Sequence, residues 1–151
     1  MTQVALEEPA AWTPNMRQAF RPPETMLPSE WAERYRTLTR GQSARAGPWR
    51  NDQAPYLRAF MDLPVKRGVV QVNIQKCAQA GGSETLWNLI GYMAHLDPDP
   101  IGLALPDRDK GRRIVRSRIL PLFRYTPVLR ALATERIYDV QTEQIMLSKS
   151  N

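Results

Sequence analysis

The residues best suited to chemistry lie in one run, Gln75 to Thr85 (QKCAQAGGSET). It leaves a β-branched segment, GVVQVNIQ (68–75), and enters one with helical periodicity. A helix start presents amide groups without intrahelical partners, and the helix dipole favours an anion there. The candidate phosphate contacts are Lys76, Cys77, Ala78, Gln79, Ala80, Gly81, Gly82, Ser83 and Glu84. Glycines at 81 and 82 let the backbone approach phosphate oxygens. Lys76 supplies a cation, and the Ser83 hydroxyl is a ligand for Mg²⁺. The common pattern G-x-x-x-x-G-K-[ST] is not met: Gly82 precedes the serine, and a lysine opens the loop. Two readings therefore stand side by side. One is a phosphate loop whose lysine folds back from the loop start. The other is an ordinary strand-to-helix turn in which Ser83 is a cap.

Other reactive residues carry less. Cys77 lies inside the loop and reads as a small filler, not a nucleophile. The single histidine, His95, falls near a helix C-terminus, which suits a partial positive charge, and no cluster has metal-site spacing. Arg108, Lys110, Arg112, Arg113, Arg116, Arg118 and Arg124 set seven positive charges against Asp107 and Asp109, a net of +5 out of the chain's +6. Arg108, Arg112 and Arg116 share one helix face. That face is either solvated or meets DNA phosphates or another subunit.

The elements that position these residues follow from periodicity. A helix is predicted over 29–38, capped by Ser29, with Trp31, Tyr35 and Leu38 in one packing stripe. A second covers 55–63 behind Pro55 and stops at Pro64. The alternation of Val70, Val72 and Ile74 predicts a strand over 68–75, and IGLAL (101–105) a second, buried on both faces. Helices are predicted over 83–96 and 107–125, the latter capped by Asp107 and bent at Pro121. A further turn or two follows over 126–134, and one or two strands over 137–148. Strand–helix–strand order implies an α/β fold with a parallel sheet and flanking helices, incomplete at the C-terminus. Residues 1–28, with five prolines, form an irregular N-terminal arm; 29–151 form the domain portion.

Composition narrows the class. The chain has 151 residues, 42% of them hydrophobic, enough for a real core. One cysteine excludes a disulfide framework, no apolar run has transmembrane length, and the N-terminus does not resemble a secretory signal. The reading is a soluble, intracellular protein whose positive charge suits phosphate-rich partners.

Several blocks, in order, resemble the phage terminase large subunit, GpA family, the DNA-packaging motors of tailed phages. They are SEWAERYRTL, GPWRNDQAPYLRAFMD, VQVNIQKCAQAGGSETLWNLIGYMAHLDPDPIGLALP and RILPLFRYTPVLRAL. The resemblance runs from about Leu27 to Asn151, within the N-terminal part of the packaging ATPase domain. It implies a partial P-loop NTPase fold, ATP and Mg²⁺ as cofactors, and a deviant phosphate loop. Its opening lysine matches Lys76, its glycine Gly81 and its hydroxyl residue Ser83. Gly82 stands where many members carry a second lysine. Trp49, Gln53 and Tyr56 match the adenine-side region. The implied partners are double-stranded phage DNA, the small terminase subunit and the portal, without a membrane, in the bacterial host's cytoplasm. The family continues into an acidic strand, a coupling motif and an endonuclease domain. Leu103–Asp107 and Asp139 are poor substitutes for that strand, so a truncated terminase is expected that binds nucleotide without turning it over. The alternative is a non-enzymatic, basic nucleic-acid or assembly-binding remnant.

Overall fold

The computed structural model describes residues 13, 24–43, 45–97 and 99–132. Most of the expected N-terminal arm and the strands expected over 137–148 lie outside these.

Helix α1 (Pro28–Tyr35) begins with proline in its first turn. Ser29 is not its cap, contrary to expectation. The Ser29 amide and hydroxyl donate instead to Asp62 Oδ1 and Oδ2, each at 2.8 Å, so an aspartate 33 residues away accepts from the helix start. Glu30 reaches back to accept from the Leu27 amide at 2.9 Å. The helix also ends earlier than its periodicity predicts. Arg36 takes extended backbone (φ −72°, ψ 128°), and β1 (Thr37–Leu38) pairs antiparallel with β2 (Gly47–Pro48). Leu38 is buried as the stripe requires, but from a strand.

Helix α2 (Tyr56–Asp62) follows a 3₁₀ turn at Asn51–Gln53 and runs into another at Leu63–Val65. Helix α3 (Gly82–Leu96) is the longest described element. The basic helix forms in three pieces, α4 (Arg108–Ile114), a π-helical turn (Val115–Ile119) and α5 (Leu120–Tyr125). Asp107 caps α4 as expected, accepting from the Lys110 amide at 2.6 Å. Pro121 lacks an N–H, and the ladder shifts register just before it, with the Leu120 amide donating to Val115 five residues back. Helix α6 (Pro127–Leu132) closes the described chain.

The core sits where α1, α3, α5 and α6 meet. Trp31, Ala32, Leu122 and Leu129 are wholly enclosed, and Met61 of α2 joins them. Gly91 makes this packing possible. A Cβ there would stand 2.4 Å from Trp31 Cη2 and 3.3 Å from Leu129 Cδ1, so the indole lies directly on the α3 backbone. Trp31 Nε1 donates to His95 Nδ1 at 3.0 Å, one turn further along α3. His95 thus serves as a neutral acceptor. Burial lowers its pKa against the weaker upward pull of Glu24.

The expected parallel sheet does not form among the described residues. Among the described residues the one sheet is the two-residue pair β1–β2. Residues 69–77 and 99–105 form neither strand nor helix. Val70 is 99% exposed, and Ile74, Ile101 and Leu103 are also exposed. The alternation in 68–75 is real, but a strand must find its hydrogen-bond partners on another segment, and none of the described residues pairs with it.

Candidate nucleotide site

The loop leading into α3 turns on two left-handed residues, Gln79 (φ 60°) and Gly81 (φ 74°). Gly81 is the N-cap of α3, and its backbone requires glycine for two reasons. A side chain is disfavoured at that φ, and a Cβ would come within 2.9 Å of Leu57 Cδ1 on α2. The carbonyl of Gly81 accepts from the amides of Glu84 (2.8 Å) and Thr85 (3.3 Å). The amides of Gly82 and Ser83, in the first turn, have no intrahelical carbonyl to bond and remain available to an anion. Thr85 turns its hydroxyl inward, donating to the Gly82 carbonyl at 2.7 Å, whereas Ser83 stays on the exposed side.

Lys76 bends back across the helix start. A Cβ on Gly82 would meet Lys76 Cδ at 2.2 Å, Cε at 3.0 Å and Cγ at 3.6 Å. The lysine stem therefore runs over Gly82, and its ammonium is one bond beyond Cε.

Between this loop and α2 lies an open concavity of about 450 Å³. Its walls are Tyr56, Leu57 and Phe60 on one side and Ile74 through Ala80 with Gly82 on the other. Tyr56 Oη donates to the Ala80 carbonyl at 3.2 Å and ties the two walls together. The fold thus gathers Lys76, Cys77, Ala78, Gln79, Ala80, Gly82 and Tyr56 around one space, with Gly81 and Ser83 at its helical edge. It does not gather the other two adenine-side candidates. Trp49 is buried, donating from Nε1 to Asn51 Oδ1 at 2.9 Å, and Gln53 is exposed outside the concavity. Asn51 also donates from Nδ2 to the Ser29 carbonyl at 2.9 Å, which fixes the Trp49 segment to α1. Leu57 and Phe60 are the site residues that sequence reasoning missed. Their helical stripe announces an apolar face but not what that face meets.

Glu84, one residue past Ser83, puts a carboxylate beside the candidate anion contacts. Two arginines offset it. Arg36 Nη2 is 3.4 Å from Oε2, and Arg118 Nη1 is 3.3 Å from Oε1. Arg36 is fully buried, donating also to Asn88 Oδ1 (3.1 Å) and the Thr37 carbonyl (2.8 Å). Burial raises the Glu84 carboxyl against the pull of both guanidinium groups, and burial lowers Arg36 against the pull of Glu84. Arg118 donates as well to the Gln42 carbonyl at 2.9 Å. It is thus drawn out of the exposed basic face and into a network joining α1, α3 and the π-helical turn.

Arg113 and Arg116 of the basic run are exposed. Asp109, Arg112, Arg113 and Arg116 line a second open concavity of about 670 Å³. The Arg112–Asp109 approach of 3.9 Å is too long to neutralise that face. No group of three metal-ligating side chains occurs among the described residues, and no helix there is long and apolar enough to cross a membrane.

Comparison with known proteins bears on this geometry. Residues 43–150 match the family described as phage terminase large subunit gpA, ATPase domain. The chain is 28% identical over 119 residues to the terminase large subunit of Escherichia phage lambda, covering 78% of this chain and 18% of that protein. It therefore spans less than a fifth of the length of that relative. No solved structure matches it significantly.

Proposed function

Starting from a chain that belongs to the phage terminase large subunit gpA ATPase-domain family, we propose that residues 75–83 bind the triphosphate of ATP in the motor that packages phage DNA. The observation that carries this reading is the path of Lys76, whose stem crosses the start of α3 beside the amides of Gly82 and Ser83. A cation, exposed amides and a helix dipole then act on the same space, which is what phosphate oxygens require. The residues fit nucleotide and metal in kind. Ser83 presents a hydroxyl on the exposed side of the first turn for Mg²⁺, and Glu84 is held away by its arginines. Tyr56 and Phe60 offer aromatic surface at the far wall. When bound, Mg²⁺ neutralises charge building on the phosphates. The chain's own residues bind and orient the triphosphate.

In this reading the segments 68–75 and 101–105 become strands of a parallel sheet when the remainder of the ATPase domain lies beside them. Their apolar residues supply the faces such a sheet buries. Hydrolysis, DNA cleavage, the small subunit and portal as partners, and action in the host cytoplasm belong to that larger assembly. Double-stranded DNA is the partner suited to Arg112, Arg113 and Arg116, through its backbone phosphates.

Titration of the chain with ATP and Mg²⁺ tests the loop assignment. Lys76→Ala is expected to lose about 2–4 kcal/mol of affinity, the scale of truncating one partner of a charge pair that the bound triphosphate covers. Unchanged affinity would remove Lys76 from the phosphates and leave the loop a simple turn.

A further inference from the structure

The two glycines at the start of α3 are glycine for different reasons. Gly81 is fixed by its own backbone, with φ of 74°. Gly82 is not among the residues with positive φ, and it occupies the first helical position, where most side chains are accepted. Glycine is a poor helix former, so the local backbone gives no reason for it. The reason is tertiary. The place a Cβ would take is filled by Lys76, with Cδ 2.2 Å away and Cε 3.0 Å away. Lys76 Cγ follows at 3.6 Å, so the three nearest atoms beyond the helix's own backbone all belong to one flexible stem. The far end of a lysine is flexible, so a side chain at 82 would push the stem aside without disturbing the fold.

We infer that Gly82 is a positioning residue for nucleotide binding: its missing side chain is the slot through which Lys76 reaches over the helix start. This rests on the phosphate-loop reading above and adds to it. In this chain the Lys76 stem, on its present path, fills the space that a side chain at residue 82 would take. Lys76 touches the ligand in this account, and Gly82 acts through Lys76.

The experiment uses the full 151-residue chain with Gly82→Ala, Lys76→Ala, the double variant and Gly82→Lys. Each is titrated with ATP in the presence of Mg²⁺ and melted thermally without nucleotide. Gly82→Ala is expected to weaken ATP binding about tenfold, within the coupling range of contacting residues. Its melting temperature should hold or rise, since alanine favours the helix and the displaced lysine is flexible. A merely structural role would move both readouts downward together. The double variant should bind no more weakly than Lys76→Ala, because the alanine at 82 has then nothing left to displace. Gly82→Lys, which displaces one ammonium and supplies another, should hold affinity.

Native-like binding by Gly82→Ala, alongside weakened binding by Lys76→Ala, would overturn this inference and leave the phosphate loop standing. Independent, additive losses in the double variant would overturn it too. So would a lowered melting temperature in Gly82→Ala, since the Cβ would then be meeting something that cannot yield. Unchanged binding by Lys76→Ala would overturn the loop reading and this inference together.

Discussion

Trp31 and Val70 are both apolar residues in segments with clear hydrophobic patterns, and they end in opposite environments. Trp31 is wholly enclosed by α1, α3 and α6, whereas Val70 is 99% exposed. The first belongs to a helix, which satisfies its backbone hydrogen bonds internally and needs a neighbour only for its apolar stripe. The second belongs to a strand-like segment, which needs a neighbour for its backbone as well. The helical region finds its partners within the described residues. The segments 69–77 and 99–105, which flank α3, do not. The loop of residues 75–83 joins the two regimes: its helical edge is anchored by Gly81 against Leu57, and its leading edge emerges from the unpaired segment.

That contrast is open to test, beginning with the largest effect. Trp31→Ala is expected to destabilise the chain by about 3–5 kcal/mol, the usual cost of deleting a buried aromatic side chain. Urea denaturation measures it, and a loss near that of a surface change would mean the helical core is not as described.

Gly91→Ala comes next. A Cβ at 2.4 Å from the Trp31 ring forces a rigid group or a helix to move, an overpacking cost of about 1–3 kcal/mol despite alanine's better helix propensity. The pairing with Gly82→Ala is informative. One glycine faces a rigid indole and the other a flexible lysine, so the two substitutions should move the melting temperature in different directions.

A smaller effect should follow pH. His95 accepts from Trp31, and burial lowers its pKa below that of the unfolded chain. The stability it contributes is therefore complete above the unfolded value of about 6.5 and is lost as pH falls through the lowered folded value. The loss should be about 1 kcal/mol, the scale of one hydrogen bond with a buried donor. Denaturation of the native chain and His95→Phe at about pH 7.5 and about pH 5 checks it. An equal pH dependence in both would remove His95 as the cause.

Smallest of all, Val70→Ser should change stability by less than about 0.5 kcal/mol, as for an exposed residue. A larger loss would show that the 69–77 segment is packed in solution and would dissolve the contrast itself.

Much of the local geometry, at the candidate site and elsewhere, was legible in the sequence because its parts are close in the chain. Asp107 as a cap, the helix beginning beside Ser83 and the anion-friendly amides of that helix depend on residues within one turn of each other. Other features were hidden because they depend on distant partners. Ser29 has the right type for a cap, yet Asp62 accepts from both its amide and its hydroxyl. Trp49 has the right type for stacking on a base, but Asn51 and the core hold it. Arg118 belongs to the basic run by position but is claimed by Glu84 and Gln42. No periodicity marks Arg36, whose burial depends on Asn88 and Glu84, some fifty residues on.

The sequence by itself determined most of the helices, the loop that opens α3 with lysine, glycine and serine, and membership in the phage terminase large subunit gpA ATPase-domain family. Short-range geometry is enough for the first two, and the order of several blocks for the third. The tertiary structure decided which glycine serves the backbone and which makes room for Lys76, that Tyr56 and not Trp49 faces the loop, and that the alternating segments go unpaired among the described residues. Each of these depends on what another part of the chain places nearby, and a residue's own type and spacing carry no record of that.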